Sequence, residues 1–255
     1  MGSFASRLMR KRRSSKTRSS PLPRERRPLS IPQIPSNAGL FNRLPFEIRH
    51  MIYVYALGGD LVHLTQTVAM KEMGYHACQW SQPHSHHYHA LGEPCPRNRL
   101  CLLETCRQIY IEASPVLYST NTFAILGTQN MPVFWDFSRS IRKDRLELIT
   151  SMHISCPADD VENVGLQYWR PTWEIIATQM PGLKDMKVRL VKVHFPPLEL
   201  ALEEDWVKPM LEVRGLRRFE FELAQEIWSG ESTAEYNERL EWFQNELQAV
   251  MCASR

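Results

Sequence analysis

The chain has 255 residues, 43% hydrophobic and 23% charged, with a formal net charge of +3, the balance of an ordinary globular protein long enough to bury a real core. No run of about 18 apolar residues occurs, which excludes a transmembrane helix, and no apolar stretch follows the basic start, so secretion is not expected. Cys78, Cys95, Cys101, Cys106, Cys156 and Cys252 are too irregularly spaced for a disulfide framework and read as reduced thiols of a nuclear or cytoplasmic body.

The charge is divided unevenly along the chain. Residues 1–36 hold ten Lys/Arg against the single acid Glu25, a segment of +9, and the remaining 21 Lys/Arg and 27 Asp/Glu leave residues 37–255 at −6. The first segment is rich in Ser and Pro and nearly free of large apolar residues, so disorder is expected to about Ser36. Its cluster Arg10 to Arg13, with Lys16 and Arg18, suits a nuclear-import signal or a contact with nucleic-acid phosphates. Met1-Gly2-Ser3-Phe4-Ala5-Ser6 fits the loose pattern for myristoylation of Gly2. The basic cluster then supplies the second signal that one acyl chain needs on an anionic membrane. A mitochondrial leader is a third reading, and a solvated extension with kinase sites at Ser14, Ser15, Ser19 and Ser20 a fourth.

The ordered body, residues 37–255, is expected to form one globular domain. From Leu44 to Leu57 the spacing predicts a helix, with Pro45 in its first turn, Glu47 near its positive end and Gly58-Gly59 as its stop. Leu44, Ile48, Met51, Ile52 and Tyr55 recur at helical spacing. Such a stripe faces a core or a partner, and an isolated amphipathic helix ordinarily buries it in its own core. Leu61 to Gln66 reads as a strand. A His-rich loop, residues 74–97, follows. It contains His76, Cys78, His84, His86, His87, His89 and Cys95, and His84, His86 and His89 with Cys95 are the candidate zinc ligands. The spacing fits no standard site, and a flexible insertion whose histidines face water explains it equally well.

Leu100 to Tyr118 predicts a second helix, kinked or restarted at Pro115, and Thr122 to Leu126 a strand. Here Leu44-Pro45-Phe46-Glu47-Ile48-Arg49-His50-Met51-Ile52-Tyr53, together with the run from Leu103 to Phe123, resembles a fungal (ascomycete) family of uncharacterised proteins with an F-box-like first helix. The second motif carries Cys106, Arg107, Tyr110, Glu112, Tyr118, Asn121 and Phe123. The two motifs span residues 41–126. The resemblance implies that the first helix docks onto a Skp-type adaptor of a cullin ubiquitin ligase through Leu44, Pro45, Ile48, Met51, Ile52 and Tyr55, while another surface recognises a client protein. The sequence departs from a compact F-box, since a long loop and a strand replace its later helices. Arg107 and Glu112 are five apart and do not stack on one face; each is read as pinning a neighbouring element by hydrogen bonds.

A repeat occupies residues 134–223. Trp173, Gly182, Met186, Val188 and Leu190 align with Trp206, Gly215, Phe219, Phe221 and Leu223 at a constant offset of 33. A partial third copy, Ile149, Met152 and Ile154, aligns at 34, its helix falling within Phe134 to Leu148. Each unit reads as a helix, a glycine stop in the left-handed conformation and a strand with one buried face. Successive strands of such units run parallel, as in leucine-rich-repeat-like stacks. A last amphipathic helix, about 231–250, presents Leu240, Phe243, Leu247 and Val250 and is placed to cap the sheet edge.

The architecture expected is α/β, with α+β as alternative: an F-box-like helical start packed on a small sheet that helix–strand units extend. No phosphate loop, nucleophile elbow, zinc-protease helix or kinase signature occurs, and no catalytic residue is assigned. The reading is of a protein-interaction module; the alternative is an accessory protein directed by its tail to nucleic acid or a membrane surface.

Overall fold

The computed structural model describes residues 40–67, 72–78, 100–157, 166–192, 202–225 and 233–254. Helix α1 (Phe46–Leu57) follows a 3-10 turn (Leu40–Arg43) and leads through Gly58 and Gly59 into β1 (Leu61–Thr67). Strand β2 (Glu72–Cys78) returns antiparallel to it. Helices α2 (Cys101–Thr105) and α3 (Arg107–Ser119) precede β3 (Thr122–Leu126). Then come α4 (Met131–Ser140), α5 (Lys143–Leu146), β4 (Ser151–Pro157), α6 (Leu166–Gln179), β5 (Asp185–Lys192), β6 (Arg218–Gln225) and α7 (Thr233–Met251).

The strands form one sheet in the order β2-β1-β3-β4-β5-β6, parallel throughout except for the β1–β2 hairpin. The fold is therefore α/β. Both the motif-bearing region and the repeats contribute strands to it. From β1 onward, parallel strands that are neighbours in space follow one another in sequence. Each crossover must lift the chain off the sheet and bring it back beside the strand just left, which helices laid on one face accomplish. Burial follows that arrangement. Phe123 and Ile125, Met152 and Ile154, Met186, Val188 and Leu190, Phe219, Phe221 and Leu223 share the main core with Phe134 of α4, Trp169 and Trp173 of α6, and Phe243 and Leu247 of α7.

The repeat offsets are the strand registers. Met186 pairs with Phe219, Val188 with Phe221 and Leu190 with Leu223, at the offset of 33; Met152 pairs with Met186 and Ile154 with Val188, at 34. The same backbone turn recurs too: the N–H groups of Lys184 and Asp185 both donate to the Thr150 carbonyl, and those of Arg217 and Arg218 to the Lys184 carbonyl. Trp173 and Trp206 are both buried. The indole of Trp206 lies nearly parallel to Phe221, and the indole N–H of Trp169 donates to its carbonyl at 2.6 Å.

Several expectations are corrected. The second helix breaks at Cys106, not Pro115. Cys106 has extended backbone, and its sulfur accepts the Ile109 N–H as an N-cap. The helix runs on through Pro115, flanked by the buried Ala113 and Val116, whose packing holds it against the lost hydrogen bond. The unit around Trp206 has turns and a 3-10 segment (Met210–Glu212) in place of an α-helix, because Pro209 has no N–H for the ladder. Gly215 takes the left-handed conformation (φ 77°) but Gly182 does not; a side chain at Gly182 would run into the Glu147 carbonyl, so close approach explains it. The helix placed within 134–148 begins at Met131 and is followed by the short α5. Residues 74–78 of the His-rich segment belong to β2. The last helix packs against the edge strand β6, where Phe243 meets Phe221 edge-on at 5.3 Å.

Candidate functional site

Helix α1 turns its predicted stripe outward. Ile48 is 39% exposed, Met51 58%, Ile52 37% and Tyr55 92%, and Phe46 and Val54 are exposed beside them. Burial of this stripe in the core, the ordinary fate of an amphipathic face, is therefore overturned. The inward face is instead Arg49, Tyr53 and Leu57, spaced by four residues. Tyr53 and Leu57 form a small cluster with Ala113 and Val116 of α3, apart from the main core, and Phe41, Leu102 and Leu103 border it. Leu44 is half-buried and Pro45, immediately before the helix, is exposed.

Glu112 fastens the two family-like motifs together. Its carboxylate accepts a fork from Arg49, Nε at 2.8 Å and Nη2 at 2.9 Å, the Tyr53 hydroxyl at 2.9 Å and the Gln108 amide at 2.9 Å. Arg49 also donates to the Leu44 carbonyl at 2.6 Å. Both side chains of the ion pair are nearly out of solvent, 12% and 7% exposed. Burial works to raise the Glu112 pKa, but hydrogen bonds from Arg49, Gln108 and Tyr53 outweigh it and hold the carboxyl below its usual range. Burial, reinforced by Glu112, pushes the Tyr53 phenol far above its ordinary value. Glu112 is thus a pinning residue, as expected, while Arg107 is exposed.

Asn121 closes the other end. Its amide donates to the Leu57 carbonyl at 2.6 Å and the Leu117 carbonyl at 2.8 Å, and its oxygen accepts the Asp60 N–H at 2.7 Å. The ends of α1 and α3 and the start of β1 are so bound at one buried side chain. Tyr118 stacks on Phe123 at 6.1 Å, and burial raises its phenol pKa. Tyr110 is exposed. Sequence reasoning missed Arg49, Tyr53 and Gln108; the four-residue spacings Arg49–Tyr53 and Gln108–Glu112 were the available signal.

The face of the sheet opposite the helices is polar. Asp185 is bridged by Arg217, Lys187 by Glu222 at 3.2 Å and Glu220 at 3.7 Å, and Arg189 by Glu222 at 3.2 Å. A shallow cavity of about 280 Å³ opens there among Asp60, Thr122, Ser151, His153, Lys187 and Glu220. Among the described residues no group of three or more His, Cys, Asp or Glu side chains could hold a metal ion. The zinc candidates His84, His86, His89 and Cys95 lie outside the described residues, as do Gly2 and the basic segment 1–36. No helix among the described residues is long and apolar enough to cross a membrane.

These features define an α/β protein with a sequentially ordered parallel sheet and an exposed apolar helix pinned at its start. The chain belongs to the family described as a domain of unknown function (DUF7730), whose model matches residues 34–240. No curated protein and no solved structure matches it.

Proposed function

We propose that this protein is a non-enzymatic interaction module whose helix α1 docks onto a partner, with a Skp-type adaptor of a cullin ubiquitin ligase as the partner the F-box-like reading names. The observation that supports it is the exposure of Ile48, Met51, Ile52 and Tyr55 on a helix whose opposite face is fixed by Arg49 and Tyr53. Apolar side chains gathered on one exposed helix face mark a docking surface, because covering them releases ordered water. On this reading the parallel sheet of helix–strand units, leucine-rich-repeat-like in its stacking, offers its polar face to a client protein. Co-purification of the full chain with the adaptor, lost in the Ile48→Asp/Ile52→Asp double variant whose fold is retained, is the expected result. Absence of the adaptor from the wild-type complex would reject the assignment.

A second reading is favoured by the +9 charge of residues 1–36. That density of Lys and Arg suits attachment to nucleic acid or an anionic membrane surface, with a nuclear or membrane-tethered location. Imaging of a chain lacking residues 2–30, beside Gly2→Ala, tests it; an unchanged distribution would remove it.

A further inference from the structure

The sequence just ahead of α1 carries a second apolar surface. Residues 28–35 contain Pro28, Pro32 and Pro35, each with φ fixed near that of the polyproline II helix, which turns once every three residues. At that period Pro28, Ile31 and Ile34 fall on one edge and Leu29, Pro32 and Pro35 on the next, while Ser30, Gln33 and Ser36 take the third. Two adjoining apolar edges against one polar edge make a two-sided ribbon. Such a ribbon gains by laying its apolar side on an apolar, aromatic-bearing surface.

From this pattern and the exposed stripe of α1 we infer that residues 28–35 fold back onto Ile48, Met51, Ile52 and Tyr55 and cover the docking face within the same chain. The lengths match. Eight residues at about 3.1 Å each span about 25 Å, and the 12 residues of α1 rise about 18 Å. The reach is sufficient as well: the described chain begins at Leu40, and Phe41 already lies beside Tyr53, with ring centroids 5.9 Å apart. Residues 36–39 extend over about 13 Å, enough to pass around a helix about 10–12 Å thick. Charge sets the direction. Arg24, Arg26 and Arg27 precede the ribbon, α1 has no basic residue in its last turn, and cations are favoured at a helix C-terminus. The exposed Arg43 stands before the other end and repels them. The ribbon therefore runs antiparallel to α1. As regulation of the docking face, the inference rests on the docking reading, since a partner must first displace the ribbon.

The test places a photoreactive benzophenone amino acid at Tyr55 of the full chain, a position 92% exposed, and reads the crosslinks by mass spectrometry. Crosslinks to residues 28–35 of the same chain are expected, at a yield independent of protein concentration. Ile31→Asp with Ile34→Asp should lower that yield roughly tenfold, with near-ultraviolet circular dichroism unchanged. The inference is overturned if the crosslinks fall elsewhere, if they join two copies of the chain, or if the double variant retains them. No adaptor takes part in this experiment, so a missing crosslink leaves adaptor capture untouched, and failure of adaptor capture leaves the crosslink.

Discussion

Glu112 shows how one side chain decides the placement of a helix. The carboxylate receives hydrogen bonds from Arg49, Tyr53 and Gln108 in a nearly buried setting. Removing it strands a guanidinium, so Glu112→Ala should cost roughly 3–5 kcal/mol of local stability, measurable as a drop in the urea midpoint. Because its folded pKa lies below the unfolded value, the network's contribution is full above about pH 4.3 and is lost as the pH falls through the folded value. The difference in stability between wild type and Glu112→Gln should accordingly shrink on acidification below that point. Gly215→Ala should cost about 1–2 kcal/mol for its left-handed backbone, while Gly182→Ala should cost more, since its new methyl meets the backbone carbonyl of Glu147. Thermal denaturation of the two variants orders them. Glu112 was legible in the sequence as a pinning residue, but its target was not: Arg49 is 63 positions away, and no spacing rule reaches across that interval.

At the scale of the element, α1 is unusual in that its apolar residues surround it. The stripe read from Ile48, Met51, Ile52 and Tyr55 is real, yet a second face through Tyr53 and Leu57 is the one buried. Periodicity identifies an apolar face and cannot say which of two such faces meets the core. Ile48→Asp with Ile52→Asp is expected to change stability by only about 0.5 kcal/mol per site, since both side chains are exposed; chemical denaturation checks this, and a collapse of the fold would place the stripe in the core after all. The strands were more legible than the helices. Val188 and Phe221 each stand in an apolar alternation of period two, and the offset of 33 that aligns them in the repeat is also their strand register. The helix expected at Trp206 failed because Pro209 interrupts the ladder while the indole keeps its core position against Phe221.

At the scale of the molecule, two apolar clusters among the described residues divide the labour. The main one lies between the parallel sheet and α4, α6 and α7; the smaller one joins α1 to α3. With so few buried contacts, the amides of α1 should exchange with solvent sooner than those of β4 and β5, as hydrogen-exchange mass spectrometry would show. Trp173→Ala, by contrast, opens a cavity in the main core and should cost about 3–5 kcal/mol, lowering the midpoint for the entire sheet. By itself the amino-acid sequence determined the α/β class, the parallel strands of the repeat units and the glycine-stopped turn at Gly215, because these arise from local periodicity and from repeats copied along the chain. Only the tertiary structure decided which face of α1 is presented to solvent and that Glu112 and Asn121 bind distant elements together. Those facts depend on which strands and helices become neighbours, and that is a property of long-range burial which no window of sequence contains.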